Sequence, residues 1–287
     1  MTRNPLVSVH MVTYNHGAFI VMAIESVLNQ KTDFDFELVI GDDYSTDETR
    51  TIIKEYSFKY PEIIKAFLNS ENLGLGGRNN SIKTLKACKG KYIAILEGDD
   101  YWKDANKLQK QVDFMEQHSG YAAYCGNAVY VNEGVELKKV RNWNVAKDVT
   151  TKDFLYGNDV ITGTILFRNQ LFSHFFKMLQ TAYAGDWMLF YYLSKKGKFY
   201  FSPEILSAYR IHSDGAWNKL DQIQRLQGER RMKMIILKDN MLNGNSFILL
   251  KEIIKINGTL FNIRARKIVK SILGERIMEQ ARKLKRL

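Results

Sequence analysis

The 287-residue chain has little of what anchors or staples a protein. Its two cysteines, Cys88 and Cys125, cannot build a disulfide framework and have no metal-type Cys/His spacing around them, so a reducing compartment is expected. No apolar run approaches the roughly 18 residues of a spanning helix. The polar start, Met1 to Pro5, carries no signal-peptide pattern. Internal repeats and low-complexity segments are not visible either. These absences point to a soluble, cytoplasmic protein. With 45% hydrophobic and 25% charged residues, a disordered or fibrous chain is excluded, and the length fits one large or two moderate domains.

Net charge is missing from most of the chain. Residues 219–287 hold 17 basic and 6 acidic residues, which is the whole excess of +11, while residues 1–218 hold 25 of each sign. A neutral body (1–218) and a basic C-terminal region (219–287) follow. A basic excess suits nucleic acid, a membrane surface or an anionic ligand, and the total does not choose among them.

Within the body, Leu6 to Val12 is an apolar β-rich run broken at Thr13-Tyr14-Asn15-His16-Gly17, and Ile20, Ile24, Val27 and Leu28 then recur at helical spacing. Glu37 to Ile40 predicts a second strand ending at Gly41-Asp42-Asp43-Tyr44. Ser45 and Glu48 read as a capping box for the next helix, which Pro61 closes. Ile63 to Leu68 and Tyr92 to Leu96 predict further strands around a helix from Asn80 to Cys88, stopped by Gly90. Alternating strands and helices imply βαβ units and a largely parallel sheet, whose carboxyl ends bind ligands. The polar clusters Thr13 to Asn15, Asp42-Asp43 and Glu97 to Asp100 sit at those ends. Downstream, Asn106 to Gln117 and Trp187 to Ser194 predict helices. Tyr121 to Val131 and part of Phe199 to Arg210 predict strands, and Gly157 to Phe167 a loop leading into another strand.

Five local signals carry chemistry. In Leu96-Glu97-Gly98-Asp99-Asp100-Tyr101-Trp102 a buried strand emerges into adjacent carboxylates, which repel each other and any phosphate unless a divalent cation lies between them. Mg²⁺ or Mn²⁺ suits such a site, and a strand-ending turn is the plain alternative. Asp43 can accept hydrogen bonds from a nucleobase or ribose, or simply serve helix entry. Gly74-Leu75-Gly76-Gly77-Arg78-Asn79 is not a dinucleotide fingerprint, because Asn79 stands at the third glycine position and the segment follows the third strand. It reads as a flexible loop whose Arg78 reaches a nucleotide or phosphate, or as a surface arginine after a glycine turn. Asp186, just before an apolar helix, is an N-cap or a general base for a hydroxyl, and Trp187 beside it is a sugar platform or core. His212 is a further metal ligand or a structural histidine.

Together these elements resemble the family 2 inverting glycosyltransferases with the GT-A fold, over Leu6 to about Asn218. The ordered matches are Val12-Thr13-Tyr14-Asn15, Ile40-Gly41-Asp42-Asp43-Tyr44-Ser45-Thr46-Asp47, Asn72-Leu73-Gly74 through Arg78-Asn79, Glu97-Gly98-Asp99-Asp100, Gly185-Asp186-Trp187 and Tyr209-Arg210-Ile211-His212. The resemblance implies an α/β, Rossmann-like GT-A domain with a mostly parallel sheet flanked by helices, followed by a C-terminal helical appendage. It implies that Tyr14 and Asp43 hold the nucleobase of a nucleotide-diphosphate sugar, expected to be a UDP-sugar, with Arg78 nearby. Asp99 would contact the ribose, Asp100 and His212 the Mn²⁺ or Mg²⁺, and Asp186 would deprotonate the acceptor hydroxyl. Glu97 stands where many relatives have Asp and is left out of the metal set. A glycan or lipid-linked acceptor of bacterial surface-polysaccharide synthesis is the implied partner.

Two other functions compete with this one. A nucleotidyltransferase of similar fold would want a glycine-rich loop bearing Arg or Lys after the first strand, where Thr13 to Gly17 stands. A non-catalytic nucleotide-sugar binding protein would not need Asp43, Asp99, Asp100 and Asp186 together. In the basic region, breaks are expected at Asn243-Gly244-Asn245 and Asn257-Gly258. Ile268, Val269, Ile272, Leu273, Ile277 and Met278 gather at helical spacing among Lys267, Lys270, Arg276, Arg282, Lys283, Lys285 and Arg286. An anionic membrane surface or a homo-oligomer contact suits this region, whereas nucleic acid does not, since aromatic interleaving is scarce and the body is neutral.

Overall fold

The computed structural model describes all residues except 1–3, 214, 216–219, 240–245 and 285–287, with side chains of the last helix described as far as Arg266. The chain divides into two compact units, Met1–Gly215 and Ala216–Leu287, three residues before the boundary expected from charge.

The first unit begins with β1 (Val7–Thr13), α1 (Ile20–Leu28), β2 (Phe36–Asp42), α2 (Thr49–Lys59), β3 (Ile64–Leu68), α3 (Arg78–Ala87) and β4 (Tyr92–Ile95). It continues through β5 (Tyr101–Trp102), α4 (Lys107–Gln117), β6 (Tyr121–Asn132), β7 (Val135–Lys139), β8 (Lys147–Val149), β9 (Leu166–Arg168), α5 (Ser173–Thr181), α6 (Gly185–Ser194) and β10 (Lys198–Arg210). Among the described residues these strands form one sheet in the order β3-β2-β1-β4-β9-β6-β10-β5, with β7 on β6 and β8 on β10. The first four strands are parallel to one another, as the βαβ alternation requires. Beyond β4 the sheet is mixed: β9 runs antiparallel to β4 and β6, and β10 is parallel to β6. Pro203 lies where the β10–β6 register shifts between Phe201 and Ile205, a place that tolerates a missing N–H.

β1 is buried on both faces: Val7, Val9 and Met11 alternate with Ser8 and His10, whose buried polar atoms meet Glu37 and Thr84. Val7, Val9 and Met11 pack with Ile24 and Val27 of α1, Leu38 and Ile40 of β2 and Ala94 of β4. Each fully buried side chain of this kind contributes about 1.5–3 kcal/mol. α6 is apolar all round, and Trp187 to Ser194 are all buried.

Three local expectations are corrected. The Ser45–Glu48 capping box does not form: Glu48 is the N-cap of α2 without a side-chain bond, and the Ser45 hydroxyl donates to Asp42 instead. Asp186 is not an N-cap, because Ala184 holds that position and Asp186 lies in the first turn of α6. In the second unit, α7 (Gln222–Asp239) is followed by α8 (Ser246–Leu284), which runs straight through Asn257-Gly258. An exposed helical glycine costs only about 1 kcal/mol relative to alanine, and Ile256 and Leu260 on either side of it are buried. Lys233 of α7 is fully buried and bridges Glu229 at 3.0 Å and Glu252 of α8 at 3.2 Å. The break expected at Asn243-Gly244-Asn245 and the side chains expected to matter from Lys267 onward lie outside the described residues. No described helix is long and apolar enough to cross a membrane.

Candidate active site

The loop after β1 is held by the segment that precedes α2. Ser45 Oγ accepts from Asn15 N at 2.9 Å, Thr49 Oγ1 from His16 N at 2.9 Å and Asp47 Oδ2 from Gly17 N at 2.8 Å, while Asn15 Oδ1 accepts from Thr46 N at 2.8 Å. Asn15 and Tyr44 adopt left-handed backbone conformations, which asparagine tolerates better than tyrosine does. The rings of Tyr14 and Tyr44 are left exposed at this edge.

The Asp42-Asp43 pair divides its labour. Asp42 is saturated: it accepts from the Ser45 hydroxyl, from Ser45 N at 3.1 Å and from Arg50 Nη1 at 2.8 Å. Asp43, also buried, accepts from Leu73 N at 2.9 Å, and its carbonyl accepts from Asn72 Nδ2 at 3.0 Å. Asp43 therefore ties the end of β2 to the start of the glycine loop.

In that loop Gly74, Leu75, Gly76 and Gly77 all have φ between 53° and 80°. A Cβ at any of the three glycines would meet nothing within 4 Å, so backbone conformation rather than crowding calls for glycine. The run delivers Arg78 to the start of α3. Its Nη1 donates to the Tyr183 carbonyl at 3.2 Å, and its buried Nε has no hydrogen-bond partner.

At the end of β4 the chain turns through Glu97-Gly98-Asp99-Asp100. A Cβ on Gly98 would lie 2.8 Å from Thr13 Cβ, so glycine lets this turn press against the end of β1. Arg210, at the end of β10, secures the turn: its backbone N–H donates to Asp100 Oδ1 at 2.8 Å and its Nη1 to the Asp99 carbonyl at 2.7 Å. The guanidinium stacks over Phe19 and Tyr101, 5.1 and 4.8 Å from the ring centres. Asp99 Oδ2 lies 3.1 Å from His212 Nε2 and 3.7 Å from His16 Nε2.

The electrostatics of this turn are unfavourable. Burial first, then the Asp99 charge, pushes Glu97 up to about 8. Burial, Asp99 and Glu97 likewise drive Asp100 well above the ordinary carboxylate range. Glu97 Oε2 is buried with no hydrogen-bond partner. An orphaned oxygen among mutually repelling carboxylates is donor chemistry that a hard divalent cation takes up. Among the described residues no three His, Cys, Asp or Glu side chains already converge as a cage: Asp100 is engaged by Arg210 and His212 by Asp99.

Asp186 reaches the same edge from α6, near enough that its charge contributes to raising Glu97. Burial raises Asp186 itself, against donation from Trp187 N at 2.7 Å and Asn158 Nδ2 at 3.0 Å. Asn158 is held in turn: its Oδ1 accepts from Val160 N and its carbonyl from Arg141 Nη2. The fold thus gathers Glu97, Asp99, Asp100, His16, His212 and Arg210, with Asp43 and Arg78 joined through the glycine loop and Arg78 linked to the residues before Asp186. Trp187 is core, donating its indole N–H to the Phe154 carbonyl. His16, Arg210 and Asn158 were missed from the sequence. Arg210 stood inside a quoted motif, whereas nothing local marks Asn158.

The model of the glycosyl transferase family 2 matches residues 8–180. The chain belongs to that family. It is 30% identical over 220 residues to a GalNAc(5)-diNAcBac-PP-undecaprenol beta-1,3-glucosyltransferase of Campylobacter jejuni, covering 72% of this chain and 64% of that protein. The chain spans 60% of the length of three curated relatives that it matches over 74% of its own sequence. Two solved structures share the GT-A fold. Staphylococcus aureus TarS 1-349 with UDP-GlcNAc has TM-score 0.65 and 19% identity over 88% of this chain and 72% of that one. The Pyrobaculum calidifontis mannosyltransferase PcManGT with GDP-Man and Mn²⁺ has TM-score 0.57 and 16% identity, over 90% and 70%.

Proposed function

We propose that the protein is a metal-dependent inverting glycosyltransferase that moves a sugar from a nucleotide-diphosphate sugar to a hydroxyl of a glycan or lipid-linked acceptor. The observation that carries this reading is the gathering of Glu97, Asp99, Asp100 and Asp186 at the carboxyl edge of the sheet, where burial and mutual repulsion drive Glu97 and Asp100 upward. Asp186 accepts the proton of the acceptor hydroxyl. The freed oxygen pair forms the new bond to the anomeric carbon as the bond to the nucleoside diphosphate breaks on the opposite face, which inverts the configuration. Burial raises Asp186 toward the range in which a carboxylate is an effective proton acceptor. Tyr14 and Asp43 hold the nucleobase, Asp99 the ribose, and Arg78 a donor phosphate through its unpartnered Nε. Asp100 and His212 would hold Mn²⁺ or Mg²⁺, which would supply positive charge for the departing diphosphate.

UDP-sugars are the first donors to try, supported by the UDP-GlcNAc named with TarS. GDP-mannose, named with PcManGT, is the comparison. The undecaprenyl acceptor in the Campylobacter relative's name supports a lipid-linked acceptor in cell-surface polysaccharide synthesis, with the basic region 219–287 resting on the inner face of the membrane. The test is a donor panel with Mn²⁺ or Mg²⁺, read by nucleoside-diphosphate release and thermal shift. Release and stabilisation that chelator abolishes are expected. Pyrophosphate formation from nucleoside triphosphates would instead mark a nucleotidyltransferase, and stabilisation without any release a silent binder.

A further inference from the structure

α8 carries two apolar faces. Leu249, Ile253, Ile256 and Leu260, spaced 4, 3 and 4 residues apart, are buried in its packing with α7. Phe247, Leu250, Ile254 and Phe261 recur at spacings of 3, 4 and 7, which places them on a second line along the helix. They are 76%, 47%, 69% and 72% exposed. A contiguous exposed row with two phenylalanines is a surface built to meet something apolar.

The charges beside the row identify its occupant. Between Ser246 and Arg266 the exposed charged residues are Lys251, Lys255, Arg264 and Arg266, all cations. The sole acid of that stretch, Glu252, is engaged with Lys233. A second copy laid antiparallel along the same row would bring these cations against each other with no exposed acid between Ser246 and Arg266 to meet them. An anionic lipid surface offers the opposite sign together with an apolar layer beneath it. We propose that α8 lies flat in the interface of an anionic membrane, burying Phe247, Leu250, Ile254 and Phe261 among the acyl chains while Lys251, Lys255, Arg264 and Arg266 meet lipid phosphates. This assigns residues to the membrane contact within the proposed function, on which it rests, and lipid binding is read without any turnover.

The test uses the full chain and sedimentation with vesicles of phosphatidylcholine, with and without phosphatidylglycerol. The variant Phe247→Ser/Ile254→Ser/Phe261→Ser changes exposed positions only, and circular dichroism checks that its helices are intact. Wild type is expected to partition onto phosphatidylglycerol vesicles in a salt-sensitive way, and the triple variant to lose at least about tenfold. Lys251→Glu/Lys255→Glu is expected to weaken binding and flatten its salt dependence while leaving the residual binding to neutral vesicles. Undiminished binding by the triple variant would overturn the stripe assignment while sparing the membrane reading, and absence of wild-type binding would overturn both. A wild-type dimer that the triple variant converts to monomer, with vesicle binding unchanged, would overturn it in favour of a second copy.

Discussion

Two buried carboxylate sites at opposite edges of the parallel sheet behave in opposite ways. At the amino edge, Glu37 accepts from Ser8 Oγ at 2.6 Å, from Lys89 N at 2.9 Å and from Lys65. Against the upward push of burial, Lys65, Ser8 and Lys89 hold it below the ordinary carboxylate range. At the carboxyl edge, Glu97 and Asp100 are buried beside other acids and driven upward. The first arrangement supports the fold. The second, which Arg210 compensates only in part, costs stability until a further positive charge arrives, so this edge is where a ligand is expected.

The largest effect that separates the edges comes from Asp100→Asn. It should lower turnover by about 10²-fold or more and blunt the dependence on Mn²⁺ or Mg²⁺, with little loss of thermal stability, since a repelling charge is removed. Metal titration of nucleoside-diphosphate release checks it. Next, Asn158→Ala removes a donor that favours the charged form of Asp186. Turnover should fall about tenfold, and the acidic limb of the pH–rate profile should move to higher pH, because the Asp186 carboxylate would then hold its proton longer.

Stability should distinguish the edges in direction. Glu97 sits near 8 in the fold against an ordinary value of 4.5, so the native state keeps a proton that the unfolded chain has lost. Its contribution is present below pH 4.5 and drains away as pH rises towards 8 in the absence of cation. Glu97→Gln should therefore raise the melting temperature at pH 8 by a few degrees and change little at pH 5. Glu37→Gln should instead destabilise by about 1–3 kcal/mol at neutral pH. Urea melts at both pH values read the two together. The smallest effect is expected at the glycine loop, where Gly77→Ala forces a side chain into the left-handed region at about 1 kcal/mol. Donor KM should rise about fivefold with kcat nearly unchanged.

The amino-terminal half was legible in the sequence because its signals are local. Apolar runs of strand length alternate with helical spacing, and each strand ends in polar residues at the edge that binds. The capping-box reading failed because the Ser45 hydroxyl is already taken up, donating to Asp42 and accepting from Asn15 N in the loop after β1, and no spacing rule registers either. The Asp186 N-cap failed because Asp186 accepts from its own neighbour, Trp187 N, and from Asn158, 28 residues away. The stretch between β6 and α6 was unreadable for a similar reason. β7, β8 and β9 are 3–5 residues long and are fixed by the strands they pair with rather than by their own patterns. In α8 the apparent break at Asn257-Gly258 was outweighed by burial on either side of it.

Turnover by Asp186→Asn, compared with wild type on the best donor, tests the functional assignment of the carboxyl edge most directly. Nucleoside-diphosphate release should fall by about 10³-fold while the variant still binds donor as wild type does, because the substitution keeps the shape and removes the proton acceptor. Release at the wild-type rate would contradict the assignment of Asp186 as the base.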